Sequence, residues 1–465
     1  MSCRIEHDLL GDQTVPSDAL YGSQTARALN NFPITNIPIS HFPHLIKALA
    51  MVKKAAAMAN NELNQIDDKK AKIISQICNE IISGDLHGEF VVDVMQGGAG
   101  TSTNMNMNEV ISNRASQLND ESLGSYLTLH PNNDVNLSQS TNDVYPTAVR
   151  LSILLEYRKL TDSLERLSTT LKHKSEEFSH VIKLGRTQLQ DAVPMTLGQT
   201  FHAYHTTLKE ESKRVREDAK LFQEVNLGAT AIGTGINTHP DYAILAIRKL
   251  AFISGEPLTL SSDLIEATSD MGAFVAFSGT LKRTATKLSK ICNDLRLMSS
   301  GPRGGFNEIN LPARQPGSSI MPGKVNPVIP EVVNQIAFQI IGKDVTVTMA
   351  AEAGQLELNV MEPVIIYNIL DSIQLLTSAV DLLERLCIKG ITANEDRCRE
   401  LVEQSIGIVT ALNSLLGYQV TTRLAKEALQ TGKSIRELVV ELDYMSSEQA
   451  ALLLDPKSML KPNLI

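Results

Sequence analysis

The chain has 465 residues, 43% hydrophobic and 20% charged, which is enough for about three domains and too balanced for a disordered, collagen-like or low-complexity protein. A net charge of −9 provides no basic footprint for nucleic acid, so no nucleic-acid partner is expected and any anion site must be built locally. Five scattered cysteines, none in a C-x-x-C pair, exclude a disulfide framework or a cysteine zinc knuckle and suit a cytoplasmic localisation. The opening MSCRIEHDLLGD has no basic-then-apolar leader pattern, and no uninterrupted apolar run approaches ~18 residues, so neither a signal peptide nor a membrane span is expected.

Taken in chain order, residues 1 to about 45 carry Pro16, Pro33, Pro38 and Pro43 and read as an extended, irregular opening. LIKALAMVKKAAAMANNEL and AKIISQICNEIIS predict two amphipathic helices between Leu45 and Ser83. The stretches at 97–109 and 130–147 are polar and Asn-rich, and such side chains compete for backbone hydrogen bonds, so both read as connectors. Leu160, Leu164, Leu167, Leu171 and Phe178 then form a helical stripe. The pattern recurs at Phe201, Tyr204, Leu208, Val215, Ala219 and Phe222, after Pro194, where a helix is expected to start. It recurs again from Phe274 to Leu295 and from Ile366 to Cys387.

The run from Pro330 to Leu358 is apolar nearly all round, as expected of a helix at the centre of an assembly. Five long helices with polar connectors and no strand–helix alternation predict an all-α fold around a central five-helix bundle. The expected organisation is a mixed, helical N-terminal domain over 1–141, the bundle over 142–396 and a small helical domain over 397–465.

Helical stripes are core, so the chemistry must lie in the connectors. GSSIMPGKVNP at 317–327 combines Ser318, Ser319, Lys324 and Asn326 with glycines that leave backbone N–H groups free to face an oxyanion. Val325 stands where a Walker loop needs Ser or Thr, and on spacing alone a surface loop with a solvated lysine fits equally well. QSTND supplies Ser140, Thr141 and Asn142, GAGTSTN supplies Thr101, and GRTQ supplies Thr187 and Gln188. Neutral hydroxyls and amides of this kind can bind a small dianion, or simply cap helices and form turns. His41/His44 and His202/His205 are spaced by three but lack an acidic partner that would complete a zinc pattern. No dinucleotide or nucleophile-elbow motif is present.

These connectors together resemble the aspartase/fumarase superfamily, in which GSSIMPGKVNP is a specific signature. VPSDALYGSQTARALNNF, GGAGTSTNMN, QSTNDVYPT, GRTQLQDAVPMTLGQ and AAEAGQLELNVMEPVI extend the likeness over essentially the whole chain. Within the superfamily the chain looks most like the aspartase branch, because Thr141 stands where fumarases typically carry a second serine, Gln188 stands where they carry histidine, and DLIEATSD at 263–270 reads like aspartase text. An amide cannot exchange a proton near neutral pH, whereas a leaving hydroxide benefits from a general acid and a leaving ammonia does not.

The resemblance implies reversible anti elimination of ammonia from L-aspartate to give fumarate and ammonium through an aci-carboxylate, with Ser318 as the base. Thr101, Ser140, Thr141 and Ser319 would meet the developing oxyanions. Thr187, Lys324 and Asn326 would hold the other carboxylate, and Asn142, Gln188 and Thr101 the amino group. It also implies a homotetramer with a twenty-helix core and sites shared by three subunits. No pyridoxal phosphate or nicotinamide is implied, and no cofactor is required, although magnesium activates some members. A class II fumarase is the alternative, and a catalytically silent structural relative a more remote one, disfavoured by the intact Ser318, Lys324, Asn326, Thr187 and Asn142.

Overall fold

A computed structural model describes residues 2–460; Met1 and the end of the expected third domain, 461–465, lie outside the described residues. In chain order the elements are β1 (Cys3–Asp8), β2 (Gly11–Pro16), α1 (Ser23–Asn31), α2 (Pro43–Glu62), α3 (Asp68–Ser83), α4 (Thr101–Leu118), α5 (Thr141–Glu177), β3 (Ile182–Thr187), β4 (Gln190–Thr196) and α6 (Leu197–Ala219). They continue through β5 (Glu224–Val225), α7 (Tyr242–Ser254), β6 (Thr259–Leu260), α8 (Glu266–Ser269), α9 (Gly272–Met298), β7 (Ile309–Asn310), α10 (Val328–Glu352), α11 (Glu362–Leu386) and β8 (Thr392–Ala393). Short helices α12 (Glu395–Glu403), α13 (Asn413–Leu416), α14 (Tyr418–Thr431), α15 (Ile435–Glu441) and α16 (Ser447–Leu453) end the chain. The fold is helical, and the strands form only two-stranded sheets among the described residues.

Two compact units divide the residues. One takes those up to Thr161 with Lys213–Arg283 and Phe338–Leu376; the other takes Asp162–Ser212, Thr284–Ala337 and those from Thr377 on. The five long helices α5, α6, α9, α10 and α11 bury the stripes read from the sequence, from Leu160 to Phe178 and from Ile366 to Cys387. Each large apolar side chain so buried contributes roughly 1.5–3 kcal/mol. In the second unit Ser168 meets His205 Nδ1 at 2.9 Å, Tyr204 donates to Asp294 at 2.7 Å and Arg166 to Asp381 at 2.7 Å, tying α5 to α6, α6 to α9 and α5 to α11. In the first unit Ser278 donates to Asp344 at 2.9 Å and Lys343 pairs with Asp371 at 2.8 Å, tying α9 to α10 and α10 to α11. α11 is long and apolar enough to cross a membrane by composition, but 61% of its most apolar window is buried within the protein.

Four local expectations change. The proline-rich opening contains the antiparallel β1–β2 hairpin and α1. Buried Glu109 accepts from the N–H groups of Gly22, Gln24 and Thr25 at 2.8–3.1 Å and so anchors the start of α1 to α4. The Asn-rich stretch read as a connector is helix α4, whose asparagines satisfy chains outside the helix. Asn106 donates to Glu89 O at 2.9 Å and accepts from Val91 N at 3.1 Å, while Asn113 donates to Leu20 O and accepts from Gly124 N. Tertiary hydrogen bonds have overridden weak helix propensity. GRTQLQDAVP is the β3–β4 hairpin, so Pro194 lies in a strand and α6 begins at Leu197. The Pro330–Leu358 helix starts at Val328, ends at Glu352 and leaves Phe338, Ile341, Val345 and Met349 on an open face in the single chain.

Candidate active site

The first unit presents Thr101, Ser140, Thr141 and Asn142 at the starts of two helices. Gly98, Ala99 and Gly100 all take positive φ, and this kinked segment delivers Thr101 to the head of α4. Its hydroxyl donates to Gly98 O at 2.7 Å, which leaves the oxygen's lone pairs as acceptors. Ser140 stands just before α5, accepts from Asn142 N at 3.2 Å and retains its O–H for donation. Asn142 Nδ2 donates to Ala231 O at 2.8 Å, which fixes the amide and orients its carbonyl oxygen as an acceptor. Asp143, fully buried, accepts from the N–H groups of Ser140, Gly228 and Thr230 at 2.8–3.1 Å; desolvation pushes its carboxyl up to about 6. Ser140 also lines a cleft of about 410 Å³ with Asn136, Gln139, Thr230 and Ala231.

Behind that wall lies a polar layer that the sequence reading missed. Asn104 Nδ2 bridges Asn136 Oδ1 and Thr141 Oγ1, both at 3.1 Å, and so joins α4 to the start of α5. Asn108 Nδ2 also reaches Asn136 Oδ1, at 3.2 Å. Lys53, with no exposed surface, donates to Asn136 Oδ1 at 2.9 Å and Gln139 Oε1 at 2.8 Å. One signal was available: Lys53 falls on the buried stripe Ile46, Leu49, Ala56 and Asn60 of α2, where a charge is out of pattern.

The second unit presents the other residues on two loops. Thr187 and Gln190 close a two-residue hairpin whose tip, Gln188 and Leu189, holds both residues at positive φ. That geometry matches a primed turn, which ordinarily takes Asn or Gly; exposed Gln188 is held in an uncommon conformation. The base of the hairpin is fixed by Glu308, which has no exposed surface: Arg186 donates to it at 2.8 Å while stacking over Phe306, and Lys183 lies 3.3 Å away. In the 317–327 loop Gly317 N donates to Lys324 O at 2.7 Å and Asn326 Nδ2 to Gly317 O at 2.9 Å. A Cβ at Gly317 would fall 2.9 Å from both Lys324 O and Asn326 N, so the loop can close only with glycine there. Ser318 Oγ accepts the N–H groups of Ile320 at 3.2 Å and Met321 at 3.0 Å. Ser319 and Lys324 are exposed, and Ser318 and Asn326 are half-buried.

The histidine pairs have other roles. His44 Nδ1 makes a close pair with Glu156, and His205 bonds Ser168, while His202 and His205 only approach ring to ring. Among the described residues no three His, Cys, Asp or Glu side chains gather into a group that could hold a metal ion.

A family model described as Lyase matches residues 11–342, and one described as Fumarase C C-terminus matches residues 408–461. The aspartate ammonia-lyase of Pseudomonas canavaninivorans is 62% identical over 465 residues, covering 100% of this chain and 98% of its own. Among solved structures, a fumarate lyase:delta crystallin from Brucella melitensis bound to cobalt is similar at TM-score 0.96 and 54% identity, covering 99% of this chain and 100% of that one. The class II fumarase of Schistosoma mansoni is similar at TM-score 0.95 and 37% identity, again over 99% of this chain and 100% of that one.

Proposed function

The chain belongs to the aspartase/fumarase superfamily and catalyses the ammonia-lyase reaction on L-aspartate, and from that premise we propose how its polar segments divide the chemistry. Ser318, as its alkoxide, removes a proton from Cβ. The C–H electrons move into the adjacent carboxylate to form an aci-carboxylate, and their return expels the nitrogen from Cα as ammonia, leaving fumarate. Ser318 then releases the proton it took, which regenerates the alkoxide and, with the expelled ammonia, accounts for the ammonium of the overall reaction. A serine alkoxide is normally inaccessible; the observation that carries this assignment is the pair of backbone N–H groups, from Ile320 and Met321, aimed at Ser318 Oγ.

Charge on the aci-carboxylate is the largest demand, since one oriented donor in such a site is worth about 3–4 kcal/mol. Ser140, Thr141 and Ser319 are assigned to it. Ser140 and Thr141 each accept a hydrogen bond through oxygen and keep the O–H to donate. Thr187, Lys324 and the second amide N–H of Asn326 hold the other carboxylate. Asn142 Oδ1, Gln188 Oε1 and Thr101 Oγ1 accept from the substrate ammonium. Thr101, whose hydroxyl hydrogen is committed to Gly98, suits the ammonium better than the oxyanion.

The working form is a homotetramer in which three subunits lend segments to each site. The spacing of Phe338, Ile341, Val345 and Met349 along one side of α10 supports this: they form an apolar stripe 37–66% exposed in the single chain.

Purified protein given L-aspartate or L-malate separately, with fumarate followed by ultraviolet absorbance, tests the reaction. Fumarate should form from aspartate and little from malate. Comparable or better turnover of malate would move the chain to the fumarase reading.

A further inference from the structure

The first unit buries a lysine that no step of the reaction uses. Lys53 sits on α2 in a pocket faced by Cys78 of α3, Asn104 and Asn108 of α4, Asn136 and Gln139 of the preceding turn, and Asp143 of α5. Its ammonium donates to two residues, Asn136 and Gln139, that line the same 410 Å³ cleft as Ser140. Asn136 Oδ1 accepts three hydrogen bonds, from Lys53, Asn104 and Asn108, at 2.9–3.2 Å. A carbonyl has two lone pairs, so this convergence is strongest when one donor carries a positive charge. Asn104 in turn donates to Thr141, so the position of the Thr141 hydroxyl depends on the orientation of the Asn136 amide.

We propose that Lys53 is a positioning residue for the dianion cradle: its buried amine holds the Asn136 and Gln139 amides behind Ser140 and Thr141, and its ammonium form, favoured when a dianion occupies the cleft, sets a positive charge behind the cleft wall. It touches neither substrate nor reacting atoms. A chain of net charge −9 has no general field to hold an anion, and a cation in a low-dielectric wall supplies that field locally. The proposal rests on the lyase reading for the identity of the dianion.

The charge state is poised to respond to ligand. Burial pushes Lys53 down to about 7, against the opposing influence of Asp143, while burial pushes Cys78 up to about 12, so the thiol stays neutral across the same range. A dianion arriving on the far side of the wall favours the protonated lysine, so at pH near 8 binding should draw a proton from solution.

The probe is succinate, a dianion with no nitrogen to lose, titrated calorimetrically at pH near 8 in buffers of different ionisation enthalpy. Wild-type protein should take up a fraction of a proton per site, and Lys53→Arg, which is charged at all working pH, should take up none. With L-aspartate, Lys53→Met should lose about 100-fold in kcat, the size of effect expected when a supporting group shifts the reacting geometry by ~1 Å. Lys53→Arg should recover most of that loss. A merely structural lysine would alter melting temperature without coupling proton uptake to ligand. Undiminished uptake in Lys53→Arg, no uptake in wild type, or a folded Lys53→Met with near wild-type kcat would each overturn the proposal. If Lys53→Met fails to fold, the wild-type and Lys53→Arg titrations still decide. Wild-type protein that takes up a proton with succinate but makes no fumarate from aspartate would sink the lyase reading instead.

Discussion

Gly100 lies against the ring of Tyr145 so closely that a Cβ there would fall 2.4 Å from Tyr145 Cγ. The contact joins the head of α4, with Thr101, to the first turns of α5, with Thr141 and Asn142. It requires glycine twice over, because Gly100 also has φ +90°.

Gly100→Ala should therefore destabilise the protein by about 1–3 kcal/mol through overpacking, in addition to left-handed strain. Gly98→Ala is the control: its φ is +92°, but its Cβ would meet Thr101 only at an ordinary 3.7 Å. Chemical denaturation should rank Gly100→Ala well below Gly98→Ala, with the larger loss of turnover in the former. Equal losses would show that the Tyr145 contact is unimportant.

Glu362 opens α11 as a fully buried carboxyl whose Oε1 lacks a hydrogen-bond partner among the described residues, and burial pushes it up to about 8 despite the nearby Arg150. Because the folded value lies above the unfolded one of about 4.5, its stabilising contribution is complete below about pH 4.5 and declines as pH rises through about 8. Glu362→Gln removes that titration and keeps the shape. The variant's melting temperature relative to wild type should climb between pH 5 and 8; parallel curves would refute the assignment.

The long helices were legible because Leu, Phe and Ile recur at helical spacing from Leu160 to Cys387, and burial follows the same spacing. Three things were not. α4 was hidden because Asn104, Asn106, Asn108 and Asn113 are poor helix formers in isolation and become useful only when partners far along the chain, such as Glu89 and Leu20, arrive. The β3–β4 hairpin was hidden because Gln188 and Leu189 carry none of the usual turn chemistry for two positive φ angles. The layer behind Ser140 left one local trace, a lysine on the apolar stripe of α2, but the partners of Lys53, Asn136 and Gln139, lie 83 and 86 residues on and could not be read from it.

The open face of α10 leads to a prediction about assembly. Val345→Glu puts a carboxylate in the middle of the stripe formed by Phe338, Ile341, Val345 and Met349. Burying an unpaired charge in an apolar interface is strongly unfavourable. Sedimentation should show species smaller than a tetramer, with helical content retained and turnover lost. An intact tetramer with normal turnover would place the subunit contact elsewhere.

The central claim is that Ser318 acts as base in a site assembled from the segments of several subunits. Ser318→Ala and Thr187→Val proteins, each expected to be inactive when refolded alone, are mixed in denaturant and refolded together, and fumarate production from L-aspartate is measured. If different subunits lend the 318–326 loop and the 187–188 turn, some sites in the hybrids receive neither substitution and activity should reappear in the mixture. Hybrids confirmed by mass that stay inactive at every mixing ratio would contradict the account.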